Sequence, residues 1–324
     1  FTLLTEPVDR LFLGNTLTGV KNVQLGVIEN YAENPILLDT VYHIAGKNIG
    51  YFVYNFFARD RGNGNLAYEI ELNDLFYDFK SKHLDELIVD LRYNGGGAVV
   101  TASVLAEMIS GRPASDVFYQ QEYNSFLNEY LRTNIPNYTN KSYFLNKIES
   151  SDGRTSIPVN SLSNLSTVYF IVSGRSASAS ELLINGLKPY MNVVLIGEKT
   201  YGKNVASITI YEEDPVKQRT NKWGMQPIIM KMSNAQGFSE YGEGFVPDVR
   251  AFEFSGQDFD IKQLGDTDEL LLKAAINTVS GIKTPTAVTK RTGRQFELVG
   301  SAVDRTPARR NQYISLENME LTGK

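Results

Sequence analysis

Gly174-Arg-Ser-Ala-Ser-Ala-Ser-Glu181 runs into Leu182-Leu-Ile-Asn-Gly-Leu187, Pro189, the apolar run Val193-Val-Leu-Ile196 and Thr200-Tyr-Gly-Lys-Asn204. A turn of small residues opens a helix, Pro189 stops it, a buried strand follows and a glycine loop ends the unit. That order predicts one half of an α/β layer. It also sets a small hydroxyl residue, Ser178, at a helix start and a lysine, Lys203, at the mouth of the next strand. Three serines spaced by alanines are unusual in a buried turn unless the backbone must crowd something and a hydroxyl is wanted there.

Working outward, Leu87 to Leu91 is a continuous apolar strand closed by Asp90-Leu-Arg-Tyr-Asn-Gly-Gly-Gly97, and Ala98 to Ile109 reads as a helix. Strand and helix in alternation imply an α/β core with both sheet faces covered. Val41 to Ile44 and Ile49 to Phe57 are aromatic-rich strands. Asn73 is expected to cap a helix bearing Leu75, Phe76 and Phe79 on one face. Tyr119 to Ile148 reads as a helical insertion. Thr167 to Val172 is a buried strand, Val205 to Tyr211 alternates as β, Gly242 to Asp248 is a turn, and Asp266 and Thr267 are expected to cap a last helix through Ile276. The domain reading is a β segment over 1–34, a core over 35–282 with an insertion at about 118–165, and a C-terminal extension over 283–324.

A chain of 324 residues with 42% hydrophobic and 21% charged residues is globular rather than disordered. Net charge of −5 supplies no electrostatic reason to bind nucleic acid or an anionic membrane. No window approaches the roughly 18 apolar residues of a membrane span. With no cysteine there is no disulfide, thiol nucleophile or thiolate metal site, and two histidines, His43 and His83, make an imidazole-rich metal site improbable. No cofactor or metal is expected.

A serine at a helix start is usually only a cap. Ser178 differs in having Ala177 and Ala179 as neighbours, which let a substrate come close, and first-turn N–H groups that face the place of an oxyanion. Ser176 and Ser180 are rivals at this level. A lysine before a strand is most often solvated and idle. To act as a base, Lys203 must lose its proton near neutrality, far below the roughly 10.4 of free lysine, which burial in an apolar pocket can bring about. Tyr201 and Val205 are expected to line that pocket, and Glu198 would undo it if it lay against the amine.

Gly95-Gly-Gly97 exceeds what a plain βα turn needs and lets a bare N–H aim at a ligand. Asp90, Arg92 and Asn94 are expected to hold that loop structurally. Gly197-Glu-Lys-Thr-Tyr-Gly-Lys-Asn204 imitates a phosphate-cradling loop, but Asn204 replaces the required Ser or Thr and a strand follows rather than a helix. Of the histidines, His43 is the competitor to Lys203 as base.

At these residues the chain resembles the C-terminal processing (tail-specific) serine peptidases, which use a Ser/Lys dyad. The family's Asp-Leu-Arg-x-Asn-x-Gly-Gly loop, Ser-Ala-Ser-Ala-Ser-Glu turn and Thr-x-Gly-Lys loop match Asp90 to Gly97, Ser176 to Glu181 and Thr200 to Lys203 in order, and Gly242 to Asp248 is similar to a fourth element. The resemblance implies Ser178 as nucleophile, Lys203 as base, and an oxyanion hole from Ala179 with Gly96 or Gly97. It further implies a crotonase/ClpP-like core of mixed β-sheet and helices, with residues 1–34 as a remnant of an upstream PDZ-like domain. Protein or peptide substrates cleaved near their C-termini are implied, without nucleic acid, as is a periplasmic or envelope location with any anchor upstream; homo-oligomers are an open option. Where well-studied members have an orienting glutamine this chain has Ser207, and where many have an aspartate it has Pro189. The alternatives are an apolar-ligand carrier of the same fold, which a solvated Lys203 would favour, and crotonase-like acyl-CoA chemistry.

Overall fold

The structure, a computed structural model, describes residues 33–214, 219–253 and 262–282. Strands β1 (Ile36–Ile44) and β2 (Lys47–Tyr54) precede helix α1 (Ala67–Ser81). Strand β3 (Glu86–Asp90), helix α2 (Val99–Ser110), β4 (Val117–Tyr123) and α3 (Ser125–Asn134) follow. Short strands β5 (Lys141–Tyr143), β6 (Lys147–Glu149) and β7 (Ser156–Pro158) lead to β8 (Thr167–Val172), α4 (Ala179–Leu187) and β9 (Asn192–Gly197). The remainder is β10 (Val205–Ser207), β11 (Ile210–Glu213), β12 (Arg219–Met225), β13 (Ile228–Asn234), β14 (Val249–Arg250) and α5 (Leu270–Val279).

The central sheet has the order β1-β2-β3-β8-β9-β14. Strands β2, β3, β8, β9 and β14 are parallel, and β1 joins as an antiparallel edge. Both faces are covered, which explains the unbroken apolar runs. Leu87, Val89, Val168, Phe170 and Val172 face α1, α2 and α4 through Phe76, Phe79, Leu105, Leu182 and Leu183. The alternate residues Ile88, Tyr169 and Ile171 face α5 through Leu271, Leu272 and Ala275. The α/β core expected from the alternation of apolar runs is present.

Three expectations are corrected. Asn73 does not cap α1 but lies inside it and is buried, because its amide donates to the Pro158 carbonyl (3.1 Å) and accepts from Asn160 N (2.7 Å). Tyr119 to Ile148 is mostly not helical. β4 and β5 belong to a second, antiparallel sheet of order β10-β13-β4-β5, and only α3 is helix. The last helix is capped by Glu269, whose carboxylate accepts from Leu271 N and Leu272 N, while Asp266 accepts from Asp268 N in the preceding turn. Strands β11 and β12 form a separate ribbon on which Trp223 is 85% exposed. The expected PDZ-like remnant over 1–34, apart from Glu33 and Asn34, and the 283–324 extension lie outside the described residues. Among the described residues no helix is long and apolar enough to cross a membrane.

Candidate active site

Three loops leave the carboxyl ends of adjacent parallel strands: 91–98 after β3, 173–178 after β8 and 198–204 after β9. Ligands in α/β sheets bind outside such ends. Here the loops are bolted together by buried polar side chains.

The first loop is anchored by Arg92, which is buried. Its guanidinium meets Asp90 at 2.7 Å and grips both oxygens of Glu269 at 2.9 Å each, and Asp90 also accepts from the Tyr51 hydroxyl at 3.0 Å. Burial alone would raise the Glu269 pKa, but Arg92 and the N–H groups of Leu272 and Leu271 outweigh it and hold the carboxyl below its usual range. Asn94 is buried too: its amide donates to the Tyr54 carbonyl and its side-chain oxygen accepts from Gly96 N, both at 2.9 Å. Gly96 and Gly97 take φ of +104° and +137°, conformations open to glycine and strained for other residues. They let Gly96 lie against Ser178 and let the chain cross beside Phe57, where Phe57 N donates to Gly96 O and Ala98 N to Phe57 O.

The serine turn distinguishes its three hydroxyls. Ser176 donates to the Leu91 carbonyl (2.8 Å) and Ser180 to the Asn94 carbonyl (3.0 Å), so both fasten this turn to the first loop. Ser178 lies between them. It is fully buried at the N-cap of α4 with φ +63° and ψ −112°, a strained backbone for a residue with a side chain. That strain is of the kind that lifts a nucleophile clear of its strand-to-helix turn.

Glu181, in the first turn of α4, ties in the third loop. Its Oε2 accepts from Ser178 N (3.0 Å) and from Lys203 N (2.8 Å), and its Oε1 accepts from Gly202 N (2.7 Å) and the Thr200 hydroxyl (2.6 Å). The Ser178 and Lys203 backbones are therefore within two hydrogen-bond lengths of each other. Thr200 Oγ1 in turn accepts from Phe245 N, docking the Gly242–Asp248 turn. Lys203 is half-buried, and burial pushes its amine below the usual lysine value while the Glu181 charge pulls it back. The carboxylate that acts on Lys203 is thus Glu181 rather than Glu198, which lines a shallow cleft with Gly174 and Arg250. Tyr201 does not cover the amine, being 66% exposed; Val205 is partly buried beside it in sequence and Ser207 is buried on β10.

The histidines are elsewhere. His43 pairs with Asn48 at the start of β2, and His83 precedes β3, so both lie at the amino ends of the parallel strands, opposite the three loops. Among the described residues no group of three or more His, Asp or Glu is placed to hold a metal ion. Glu181 is the residue that sequence reasoning passed over. Its signal was the Ser-x-x-Glu spacing of a capping box, Ser178 to Glu181. Nothing in the local sequence marks Glu269 as a partner of Arg92.

Near the first loop a cleft of about 830 Å³ opens at Ala98 and Val99 and runs between Leu66, Val104, Tyr119 and Leu145.

The family model for peptidase family S41 matches residues 48–251, more than half of the chain. Among solved structures, a candidate S41 protease from Bacteroides fragilis NCTC 9343 is 28% identical with a TM-score of 0.60, over 78% of this chain and 60% of that one. The chain thus spans about three fifths of that protein's length. A photosystem II D1 C-terminal processing protease is 18% identical with a TM-score of 0.43, over 71% of this chain and 50% of that one. A candidate peptidase from Parabacteroides merdae ATCC 43184 is 17% identical with a TM-score of 0.45, over 77% and 70%. No curated protein matches the chain. With the glycine loop, serine turn and lysine loop all inside the matched residues, the chain belongs to peptidase family S41.

Proposed function

We propose that the chain is a serine endopeptidase in which Ser178 is the nucleophile and Lys203 the general base, acting on proteins or peptides near their C-termini. The observation that carries this reading is the single Glu181 oxygen shared by Ser178 N and Lys203 N, which holds the serine turn and the lysine loop side by side. The strained backbone of Ser178 and the depressed basicity of Lys203 support it, because a base must be neutral to accept a proton. A fully solvated lysine would have suited an apolar-ligand carrier; this one is half-buried.

In the proposed reaction Ser178 Oγ attacks the scissile carbonyl carbon as its proton passes to Lys203 Nζ. The oxyanion is met by the N–H groups of Ala179 and Gly97; Gly96 N is already spent on the Asn94 side chain. The tetrahedral intermediate breaks its C–N bond, the departing amine takes the proton from the Lys203 ammonium, and an acyl-enzyme remains on Ser178. Water then adds with Lys203 again as base, the ester bond breaks, and the proton returns to Ser178 as the new carboxyl end leaves. The cleft beyond Ala98 is of a size to seat several side chains of an extended peptide. Ser207, buried four residues after Lys203, is assigned support of the amine in the place of an orienting glutamine. An extracytoplasmic setting fits this reading.

The test is labelling with a fluorophosphonate probe together with casein hydrolysis by the full chain. The adduct is expected on Ser178, and Lys203→Ala is expected to slow both labelling and hydrolysis by at least about 100-fold. Absence of an adduct at any pH, or an adduct on Ser176 or Ser180, would overturn the assignment.

A further inference from the structure

We infer that Glu181 is a positioning residue that assembles the nucleophile and the base: one buried carboxylate sets the register of the Lys203 loop against the Ser178 turn. This inference rests on the Ser178–Lys203 reading above.

A glutamate in the first turn of a helix needs only one task, accepting the N–H of the N-cap residue, and Glu181 performs it for Ser178. Three further bonds have no part in holding a helix end. Lys203 N, Gly202 N and the Thr200 hydroxyl all come from the loop after β9, and they fill the remaining acceptor directions of both oxygens. These four donors are neutral, and the carboxylate they hold is fully buried. Such a site costs desolvation that a neutral cap would avoid. What the carboxylate adds is planarity and paired acceptors: Oε2 joins the serine turn to the lysine, while Oε1 fixes Gly202 and Thr200, one and three residues before the lysine. Without it, the loop after β9 still has Tyr201 N on Ser176 O and Thr200 N on Phe245 O, and Asn204 still accepts from Met232 N and donates to Ser239 O; these bonds dock the loop to its surroundings, whereas Glu181 joins residue 203 itself to Ser178.

The carboxylate also acts on the amine at a distance. The titratable groups that face it are Lys203 from its own bonded loop and the Tyr241 phenol from the turn after β13, each perturbed by the Glu181 charge. Burial raises the Glu181 pKa, and the Thr200 hydroxyl with the N–H groups of Lys203, Gly202 and Ser178 pulls it back. An ionised Glu181 favours the ammonium form of Lys203. Placement of the base therefore comes with some loss of its neutral fraction.

Glu181→Gln removes one pair of acceptor sites and the charge together, and kcat and the pH profile report the two losses separately. The experiment records kcat, KM and the pH profile of casein hydrolysis by the full chain, with Ser178→Ala as the measure of background. The expected result is a kcat lower by on the order of 100-fold, the cost of a misplacement of about 1 Å, with KM little changed. The acid limb of the profile is expected to move to lower pH, since the charge favouring the ammonium is gone. A purely structural residue would lower the amplitude and leave that limb in place; an unmoved limb, or wild-type kcat, overturns the inference. If Glu181→Gln does not fold, Glu181→Asp keeps the charge but is too short to reach both sets of donors. It is expected to lose kcat with the limb unmoved, and wild-type kcat in that variant likewise overturns the inference. Failure of the underlying dyad is distinguishable, because then Ser178→Ala would hydrolyse casein as fast as the unaltered chain.

Discussion

Gly96→Ala tests the contact between the glycine loop and the serine turn. A methyl group on Gly96 would lie 2.7 Å from Ser178 Cβ, 2.9 Å from the Ala177 carbonyl oxygen and 3.0 Å from Ala179 N. Carbon atoms in ordinary contact stand about 3.5–4.0 Å apart, so the turn that carries Ser178 must retreat by roughly 1 Å. None of the three atoms is the tip of a flexible side chain, and Ser176 and Ser180 pin that turn from both sides. A retreat of that size is worth on the order of 100-fold in kcat. The +104° φ adds about 1–3 kcal/mol of strain to the folded state. Gly46→Ala is the control, since Gly46 has φ +75° in the β1–β2 turn and nothing within 4 Å of the added methyl group. It pays a comparable strain, about 1–2 kcal/mol, without touching the site. Both variants are expected to lose several degrees in melting temperature, while only Gly96→Ala loses kcat and fluorophosphonate labelling. A Gly96→Ala enzyme within about threefold of wild-type kcat, a difference under 1 kcal/mol, would refute the contact argument.

Two further predictions concern stability. Glu107 in α2 is 7% exposed, has an oxygen without a hydrogen-bond partner among the described residues, and is pushed by burial to about 7, with Arg112 opposing. Its folded pKa exceeds its unfolded value of 4.5, so the Glu107 contribution to stability is full below pH 4.5 and is lost as pH rises to about 7. Glu107→Gln is therefore expected to melt above wild type at pH 8, by about 1–3 kcal/mol, and close to it at pH 4; thermal scans showing the opposite order would discard this account. Glu269→Gln removes a charge partner of the buried Arg92 and weakens the cap of α5, at a cost of about 2–4 kcal/mol in urea unfolding at pH 7. Because the folded pKa of Glu269 is depressed, the wild-type advantage is present at neutral pH and shrinks as pH falls below the carboxylate range. An undiminished gap at pH 3 would contradict that.

The central sheet was legible because its strands are buried on both faces. Leu87 to Leu91 and Thr167 to Val172 have no polar alternation to confuse their length, and the glycine run and Pro189 punctuate what lies between. Elements that depend on distant partners were less so. Tyr119 to Ile148 reads as helical until β4 is seen against β13, more than a hundred residues later. Asn73 has the chemistry of a cap, and only the 158–160 segment explains why it is a buried bridge instead. At the site, the spacing of Ser178 and Lys203 could be quoted from the chain, but the grip of Glu181 on the lysine loop depends on β8 and β9 lying side by side. Glu198 is near Lys203 in sequence, but the fold turns it into a different cleft. Tyr201 is two residues from Lys203 in sequence, yet it stands largely in water.

The chain's single tryptophan, Trp223, stands on the β11–β12 ribbon and is 85% exposed. Intrinsic indole emission is therefore already that of a hydrated ring in the native protein. Loss of the α/β interior changes the surroundings of many tyrosines but of no indole, so an unfolding curve followed at tryptophan wavelengths would register the ribbon and miss the event. The same ring is a ready-made reporter for whatever settles on that ribbon.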